Sequence, residues 1–467
     1  MAPFKVIIIG CGLAGGLLGN GLLHNDVDFV IYESDDVDSR SNIKRDGYQI
    51  RLGAHAIHGF KACLTDDQQA ALYRMFGRSG GVLPAAPILY DTNLRLLLDL
   101  TKFPAYTKSA PINRVVLRDY LQAPLVAAER VRFGKKFVKY TVEEGGGASA
   151  VRVHFADGTS DTCDLLISAE GSRSRINKQI GLDNIVQLHK RWGFLAKGSL
   201  PKAKLKALGP EVRKAPVAVI HDGIILFYSA YLPKGAKDAA EPAAKNVDND
   251  DAADFDEEMS SLFWSLMIPV EKCPDDPLSM EDKVGFCIDM VKNWDPRFET
   301  MLRAIDNDDV YVFQPRASTN PGVDWRQKSN AKSSSEPETG HGQVWLLGDA
   351  IHPMLPARGM GANQAMRDTA DMLPQILALR DAAASEKLDK QTLSIAVNAY
   401  EGKMLPRAFH WVGMSGGTDE TVRDPSSLSG KVMLFFVARM LTVAYLITQV
   451  KALFGFTVQD DAPELPD

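Results

Sequence analysis

The sequence has few cysteines and no excess of basic residues, and each absence excludes a class of protein. The five cysteines among 467 residues are scattered, without a CxxC pair. They predict free thiols in a reducing, cytoplasmic compartment rather than a disulfide scaffold or a zinc site, and no metal is expected. Acidic residues outnumber basic ones by 59 to 53, which gives a net charge of −6. Without a global basic field, no nucleic-acid partner is expected.

Long hydrophobic runs are also scarce. Residues 6–9 are apolar but too few for a signal peptide, and they are typical of a buried strand. Residues 432–447 form a membrane-like run, but Arg439 interrupts it and it is shorter than the roughly 20 residues that span a bilayer. We expect this run to form a buried helix that caps a domain. A helix lying on a membrane surface is the alternative, which we do not expect.

What the sequence does contain is an alternation of strands and helices at its start. The pattern predicts a strand at residues 4–9, a helix at residues 13–23 and a second strand at residues 28–32. Such a βαβ unit implies a parallel sheet with a right-handed crossover. Two distant apolar runs, at residues 165–168 and 344–347, resemble the first strand. One sheet assembled from separate segments is therefore expected.

The length of the chain is sufficient for two or three lobes. Residues 151–155 alternate between apolar and polar, which predicts a strand. Residues 224–232, with their aromatic side chains, are typical of a strand of a second sheet. The polar stretches 234–258 and 318–342 are expected to be surface loops, with a lid over a site as the alternative. The predicted fold class is α/β, with a Rossmann-like domain of discontinuous segments, an inserted β-sheet domain and C-terminal helices.

A glycine-rich loop of the form GxGxxG connects the first predicted strand to the first helix. The first glycine allows a tight turn, the second lets a pyrophosphate approach the backbone, and the third lets helix and strand pack closely. The acid at the end of the second strand can accept hydrogen bonds from a ribose hydroxyl. The pattern predicts a bound dinucleotide without distinguishing FAD from NAD. Its residues are Gly10, Gly12, Leu13, Ala14, Gly15 and Glu33.

Three further segments resemble motifs of the FAD-dependent aromatic hydroxylases, the para-hydroxybenzoate hydroxylase family of group A flavoprotein monooxygenases. Residues 348–353 resemble the GD motif, residues 164–171 the DG motif, and residues 113–121 the R-x-x-L helix. The resemblance covers the predicted dinucleotide domain in the right order and is closest to fungal secondary-metabolite monooxygenases. The sequence departs from the family at Glu170, where aspartate is usual, and at Pro374, which should kink the helix after the GD motif.

The resemblance implies how FAD is held. In the family the GD aspartate, here Asp349, contacts the ribityl and pyrophosphate part of FAD, and amides of the following helix face the flavin pyrimidine. An arginine on the R-x-x-L helix reaches FAD, with Arg114 and Arg118 as alternatives. His352 is expected to be packed and hydrogen-bonded, without a chemical role. The other residues assigned to FAD are Gly47, Pro356, Gly359, Gly361, Ala362 and Asn363.

The resemblance also implies a reaction. NADPH or NADH reduces FAD and leaves, O₂ forms a C4a-hydroperoxyflavin, and oxygen is transferred to an aromatic, polyketide or indole-type small molecule. Arg191 and Tyr228 are the predicted catalytic residues, since similar fungal enzymes often keep an arginine and a tyrosine at such positions. An arginine can stabilise a substrate oxyanion as a fixed positive charge.

Several alternatives stay open at this point. The same residues would serve an epoxidase, a Baeyer–Villiger-type oxygenase or a flavin oxidase without oxygen transfer. A non-catalytic flavin-binding or membrane-docking protein is the alternative from another class. The choice between NADPH and NADH, the substrate and the oligomeric state are also open. We assign residues 1–80, 105–180 and 340–400 to the FAD-binding domain, 81–104 and 181–339 to the substrate-binding domain, and 401–467 to a C-terminal helical region.

Overall fold

The structure is a computed structural model. It describes residues 4–36, 49–76, 87–100, 109–143, 149–199, 204, 208, 215–231, 261–305, 310–332, 337–422 and 424–453. Gly47, the polar segment 234–258 and part of the segment 318–342 lie outside the described residues.

The described elements alternate between strands and helices along the chain. The strands are β1 Lys5–Ile9, β2 Asp28–Tyr32, β3 Gln49–Gly53, β4 Ile88–Tyr90, β5 Leu96–Asp99, β6 Ser109–Asn113, β7 Val131–Arg132, β8 Phe137–Glu143, β9 Ala150–Phe155, β10 Ser160–Cys163, β11 Leu165–Ser168, β12 Ile185–Gln187, β13 Arg191–Ser199, β14 Val217–His221, β15 Ile224–Tyr231, β16 Ser261–Pro269, β17 Val310–Phe313, β18 Arg316–Ser318 and β19 Val344–Leu346. The helices are α1 Leu13–His24, α2 Ala54–Cys63, α3 Asp66–Arg74, α4 Arg114–Ala127, α5 Arg175–Gln179, α6 Lys283–Val291, α7 Pro296–Leu302, α8 Trp325–Lys332, α9 Gly361–Ala384, α10 Lys390–Met414 and α11 Leu428–Leu453.

A five-stranded sheet joins segments that are far apart in the sequence. Its order is β19-β11-β1-β2-β7, and all neighbouring strands are parallel. In the register, Ile7 pairs with Leu166 on one side and Val30 on the other. β11 is fully buried, as the continuous apolar run of an inner parallel strand requires. The predicted βαβ unit and the predicted sheet of separate segments are both confirmed.

Helices and a small sheet complete the first core. α1 packs against α4 and α9, and the antiparallel sheet β10-β9-β8 contacts β1 and β11. α9 extends from Gly361 to Ala384 and includes Pro374, so the proline does not end the helix. α9 also contacts α2 and α10, which makes it the element that joins this core together.

A second sheet has the order β17-β13-β16-β15-β14-β4-β5, antiparallel except where β14 runs beside β4. β4 and β5 come from the earlier of the two segments that we assigned to the substrate-binding domain, and the other strands come from the later one. One face of the sheet packs on α6 and α7, where Trp264 Nε1 donates a hydrogen bond to the Leu302 carbonyl at 3.2 Å. β15 and β16 also contact β3, which extends from the first core.

The expectation that the C-terminal apolar run is a buried capping helix is wrong. The run lies in α11, Leu428–Leu453, and its most apolar window is not buried by the residues that the structure describes. Phe436 and Met440, for example, are 65% and 69% exposed. The sequence showed that these residues are apolar, but burial depends on whether another element packs against them, and α11 contacts chiefly the short strand β5.

Candidate active site

The glycine loop after β1 has the backbone that its motif predicts. Gly10 has a φ of +103°, and a Cβ there would lie 2.4 Å from the Ala169 carbonyl oxygen. A Cβ on Gly15 would lie 2.1 Å from the Gly10 carbonyl oxygen, so both positions require glycine. A Cβ on Gly12 would meet no atom within 4 Å. The protein thus leaves open space at the N-terminus of α1, where helix amides and the helix dipole favour a phosphate.

Glu33 lies beside this loop at the end of β2. Its carboxylate accepts hydrogen bonds from Cys11 N at 2.8 Å and from Asp35 N at 3.1 Å. These bonds hold the acid next to Leu13 and Ala14, the first turn of α1. Its role toward a ribose hydroxyl stays a prediction, which this position supports.

The GD motif forms a turn directly after β19. Gly348 has a φ of +60° and begins a short 3₁₀ helix, Gly348–Ala350. The Asp349 side chain is accessible through an adjacent cavity, although its carboxyl lies deep among protein atoms. This burial raises the Asp349 pKa, and the nearby His352 and Arg114 act in the opposite direction. The carboxyl is therefore positioned to form a hydrogen bond with a bound ligand.

The residues after the GD turn lead to the N-terminus of α9. Pro356 lines the cavity, and Gly359 adopts a left-handed backbone with φ +63°. Gly361 and Ala362 form the first turn of α9, and a Cβ on Gly361 would lie 3.8 Å from Asp349 Oδ1. The GD carboxyl and the amides of the first turn are thus neighbours.

The side chain of Asn363 has a structural task, and the assignment of its backbone amide to FAD stays a prediction. Its Oδ1 accepts a hydrogen bond from Gly53 N at 2.8 Å, and its Nδ2 donates one to the Arg51 carbonyl at 2.8 Å. The side chain therefore attaches α9 to β3. A contact between Asn363 and FAD would have to use its backbone.

The two candidate arginines on α4 have different surroundings. Arg114 begins the helix, after the Asn113 cap, and is close enough to Asp349 to oppose the rise in its pKa. Arg118 Nη2 forms an ion pair with Asp119 Oδ1 at 2.8 Å. These positions favour Arg114 as the residue that reaches FAD, and both assignments stay predictions.

A buried network of charges beneath the GD turn was missed by the sequence analysis. Asp368 on α9 accepts a hydrogen bond from Gly348 N at 2.9 Å, lies 2.7 Å from His352 Nε2 and pairs with Arg407 Nη2 at 2.8 Å. Burial alone would raise the Asp368 pKa, but His352 and Arg407 outweigh it, and the pKa lies below its usual range. The prediction that His352 is packed and hydrogen-bonded is confirmed. The signal that could have revealed the network was a recurrence of polar residues along the buried face of α9.

Glu170, in the DG-like motif, forms hydrogen bonds that stabilise the residues after it. Its carboxylate accepts hydrogen bonds from Ser174 Oγ at 2.7 Å and from Ile176 N at 3.1 Å. It therefore satisfies amides at the start of α5. It also lines the cavity beside the GD turn.

The cavity has a volume of about 370 Å³ and lies between the GD turn and β17, the edge strand of the second sheet. The Tyr311 and Phe313 rings on its wall are stacked, with centroids 5.6 Å apart. Arg173 donates from Nη2 to the Tyr311 hydroxyl at 3.1 Å. Burial lowers the Arg316 pKa, and the charge of Arg173 lowers it further, so two guanidinium groups lie near each other here.

The two predicted catalytic residues do not line this cavity. Arg191 on β13 donates from Nη1 to the Glu420 carbonyl at 2.6 Å and from Nε to the Gly223 carbonyl at 3.3 Å. Tyr228 is fully buried among the side chains under α6 and α7, where burial raises its pKa well above the usual range. Both positions favour structural roles over the predicted ones. The catalytic assignments stay predictions that the structure does not support.

The opposite face of the second sheet was not singled out by the sequence. Neighbouring residues of a strand point to opposite faces, so Phe227 and Phe263 point away from the core that contains Tyr228. Their ring centroids are 5.7 Å apart, and both side chains are partly accessible, as is Met267. This apolar face is suited to an aromatic ligand.

Comparison with known proteins points to the same cofactor. A model of an FAD binding domain matches residues 301–393, which include the GD turn and all of α9. The chain is 24% identical over 428 residues to the dual O-methyltransferase/FAD-dependent monooxygenase elcB of Phaeosphaeria nodorum, covering 86% of this chain and 44% of elcB. It is 24% identical over 432 residues to the FAD-dependent monooxygenase thnD of Trichoderma harzianum, covering 88% of this chain and 91% of thnD. The chain thus spans less than half of elcB and most of thnD.

Solved structures agree in fold. FqzB superposes with a TM-score of 0.63 at 17% identity, covering 98% of this chain and 97% of FqzB. HpxO of Klebsiella pneumoniae, complexed with FAD and uric acid, superposes with a TM-score of 0.62 at 17% identity, covering 94% of this chain and 95% of HpxO. The fold is that of the FAD-dependent monooxygenases. The resemblance inferred from the three sequence motifs is confirmed.

The residues of this FAD-dependent monooxygenase fold fit FAD. The open space at Gly12 suits a pyrophosphate, Glu33 offers a fixed carboxylate beside it, and Asp349 faces the cavity next to the first turn of α9. FAD would be held by these three positions, with Arg114 close to Asp349. Within the described residues, no group of three or more His, Cys, Asp or Glu side chains could hold a metal ion.

Proposed function

We propose that the protein is an FAD-dependent monooxygenase that uses NADPH or NADH and O₂ to oxygenate an aromatic, polyketide or indole-type small molecule. The observation that carries this proposal is the position of the dinucleotide site. Asp349 lines a cavity whose other wall is β17 of the second sheet. The glycine loop and the first turn of α9 adjoin the GD turn that carries Asp349. A cofactor held there would have access to a ligand on that sheet.

The protein and FAD would have different roles in the reaction. When bound, FAD supplies the electron-transfer and oxygen chemistry, and the protein binds and orients it. Phe227, Phe263 and Met267 form an apolar surface on the second sheet, which would hold an aromatic ring and exclude water from it. The route of oxygen transfer implied by the family resemblance is part of this proposal.

Transient binding of NAD(P)H is supported by the charge of the cavity. Arg173 and Arg316 lie near each other on its wall, and neighbouring guanidinium groups favour a phosphate, which accepts paired hydrogen bonds from both. The stacked Tyr311 and Phe313 rings beside them offer a flat apolar surface. Binding of this kind needs no second glycine fingerprint.

The names of similar proteins support a ring-containing substrate. Salicylate hydroxylase of Pseudomonas putida is 26% identical over 320 residues, covering 63% of this chain and 59% of that enzyme. HpxO was solved with uric acid. A flat, electron-rich ring is common to salicylate and uric acid, and it matches the apolar sheet face described above.

The first test is a reaction of the purified holoprotein with NADPH or NADH and a panel of aromatic substrates under ¹⁸O₂. We expect the substrate to accelerate NAD(P)H oxidation and the product to contain one labelled oxygen atom, detected by mass spectrometry. The position of the label separates hydroxylation from epoxidation and from ring insertion. Each reaction is matched by one with free FAD in place of the protein.

Other outcomes would contradict the proposal in different ways. Reduction of the flavin by substrate, with an unlabelled product and one hydrogen peroxide per O₂, would indicate an oxidase. Reduction by neither nicotinamide cofactor with any substrate would exclude the proposed co-substrate. A chain that binds no FAD after reconstitution would contradict the proposal as a whole.

A further inference from the structure

Helix α11 presents an apolar stripe to solvent along its whole length. The stripe consists of side chains that are between 50% and 69% exposed. At 100° per residue its members fall within one arc of about 140° on the helix. They are Val432, Phe435, Phe436, Met440, Val443, Leu446, Ile447 and Val450.

The other side of α11 explains the orientation of this stripe. Met433, Leu434, Val437, Ala438 and Leu441 lie on the opposite side and are half-buried. From residue 442 to residue 453, every side chain that the structure describes is exposed. The first half of the helix therefore rests on the protein by one face, and the second half extends beyond it.

The apolar stripe is large for a surface that no described residue covers. Leu428–Lys451 has 24 residues, and the mean hydropathy of its most apolar 18-residue window is 1.7. None of that window is buried by the residues that the structure describes. At 1.5 Å per residue this segment is about 36 Å long, which exceeds the roughly 30 Å thickness of bilayer hydrocarbon. Burial among the described residues, the ordinary reason for such a helix in a globular protein, does not apply here.

The charge of α11 separates a lipid surface from a second copy of the chain. Residues 428–453 contain Lys431, Arg439 and Lys451 and no acidic residue, in a chain whose net charge is −6. Two such helices would repel each other, whereas anionic lipid headgroups attract basic residues. Arg439 lies within the arc of the stripe, with its guanidinium 5.2 Å from the Phe435 ring centroid. A long side chain of this kind can keep its charge at the headgroups while its stem lies in the apolar layer.

We propose that α11 lies in the surface of a lipid bilayer that contains anionic lipids, with its apolar stripe buried among the acyl chains. The helix lies in the plane of this surface and not across the bilayer, because the opposite face of its first half packs on the protein. The proposal does not depend on the catalytic function.

The segment before α11 fixes the position of the helix on the second sheet. Arg191 Nη1 donates a hydrogen bond to the Glu420 carbonyl at 2.6 Å, and Asp222 N donates one to Asp424 Oδ2 at 2.8 Å. α11 itself contacts β5, the edge strand at the other end of the sheet from β17. The bilayer would therefore lie beside the β5 edge of the substrate-binding sheet.

The test is flotation of the full-length holoprotein with vesicles of phosphatidylcholine, with and without phosphatidylserine. We expect flotation with both, stronger with phosphatidylserine and weakened by salt in that case alone. The triple variant Phe436→Glu, Met440→Glu and Ile447→Glu places carboxylates in the stripe and should lower partitioning by roughly 100-fold. Since these side chains are exposed, the variant should retain its FAD content and thermal stability.

A matched control places the same charges on other exposed apolar residues. Leu278→Glu, Val323→Glu and Ile395→Glu change side chains that are 59%, 75% and 61% exposed. This control should float like the unchanged protein. Recovery of the unchanged protein solely in the soluble fraction, equal flotation of the stripe variant, or loss of flotation in the control would each overturn the proposal. Self-association that the stripe variant abolishes, without flotation, would assign the stripe to a second copy instead.

Discussion

The three glycines of the loop after β1 differ in what surrounds them. A Cβ on Gly10 or Gly15 would collide with backbone atoms of the protein itself, whereas a Cβ on Gly12 would meet nothing within 4 Å. Gly10 and Gly15 are thus required for the fold. Gly12 is required only if a ligand approaches the loop. Substitution of Gly12 therefore tests whether a ligand binds there.

Substitution of these residues should separate folding from FAD binding. Gly12→Ala should leave the unfolding temperature of the apoprotein unchanged and weaken FAD binding by about tenfold or more, because the methyl group occupies the space of the pyrophosphate. Gly15→Ala should destabilise the apoprotein by about 1–3 kcal/mol through overpacking. The measurements are thermal unfolding of the apoprotein and fluorescence titration with FAD.

The control for this pair is Gly402→Ala on α10, where a Cβ also meets nothing within 4 Å. It should lower neither the unfolding temperature of the apoprotein nor its affinity for FAD. Normal FAD affinity in Gly12→Ala would contradict the assignment of the open space to a pyrophosphate.

Among the elements, α9 determines the geometry of the candidate site. Its first turn lies beside Asp349, its Asn363 side chain holds β3, and its Asp368 side chain accepts a hydrogen bond from the GD turn. Arg407 on α10 pairs with Asp368 at 2.8 Å and with Asp371 at 3.0 Å. The position of the GD turn thus depends on an ion pair between the helix that follows it, α9, and the next helix, α10.

Removal of that ion pair should be costly. Arg407→Met removes the cation that two buried carboxylates share, and we expect a loss of about 3–5 kcal/mol of unfolding free energy at neutral pH. The loss should shrink as the pH falls through the folded pKa of Asp368, because a protonated carboxyl no longer needs the cation. Urea unfolding across this pH range measures both effects.

A surface arginine provides the comparison. Arg303 pairs with Glu299 on α7, and both side chains are at least half exposed. Arg303→Met should change stability by less than about 1 kcal/mol. A similarly small effect of Arg407→Met would show that the buried network does not support the GD turn.

For the molecule as a whole, two partly buried histidines should govern stability in mild acid. Burial lowers the pKa of His341 to about 4, helped by Arg326 and Lys390. Burial lowers the pKa of His55 to about 4 as well, with Arg407 and Arg367 contributing. Both are neutral when folded, whereas the unfolded chain binds protons near pH 6.5. The unfolded state therefore binds more protons between about pH 6.5 and 4, and stability falls as the pH is lowered through this window.

The pH dependence can be assigned by substitution. His341→Gln should flatten the decline in unfolding free energy between about pH 6.5 and 4, measured by urea unfolding, because one of the two protonation differences is removed. The exposed residue His189 offers the control, and His189→Gln should keep the slope of the unchanged protein. An unchanged slope in His341→Gln would refute the assignment to His341.

Features that depend on neighbouring residues could be predicted from the sequence alone. The strand at 28–32 and the strand at 165–168 were predicted with the observed bounds, because each is a short run of mostly apolar residues with a charged residue close to both ends. The glycine loop was predictable for the same reason, since Gly10 and Gly15 are required by contacts within a few residues or with the neighbouring strand.

Tertiary structure decided the features that depend on partners far away in sequence. In the sequence, Asp368 and Arg407 are two charged residues that lie 39 positions apart on different helices. Only the fold buries them and brings them 2.8 Å apart. Arg191 and Tyr228 were predicted to be catalytic from the family resemblance, but only the packing of the second sheet shows which face a strand residue occupies. The apolar residues of α11 likewise predict a helix, and only the absence of a covering element in the described structure shows that they remain exposed. Apolar periodicity predicts which face of a helix or strand favours burial. Whether that face is buried depends on whether another element of the chain packs against it.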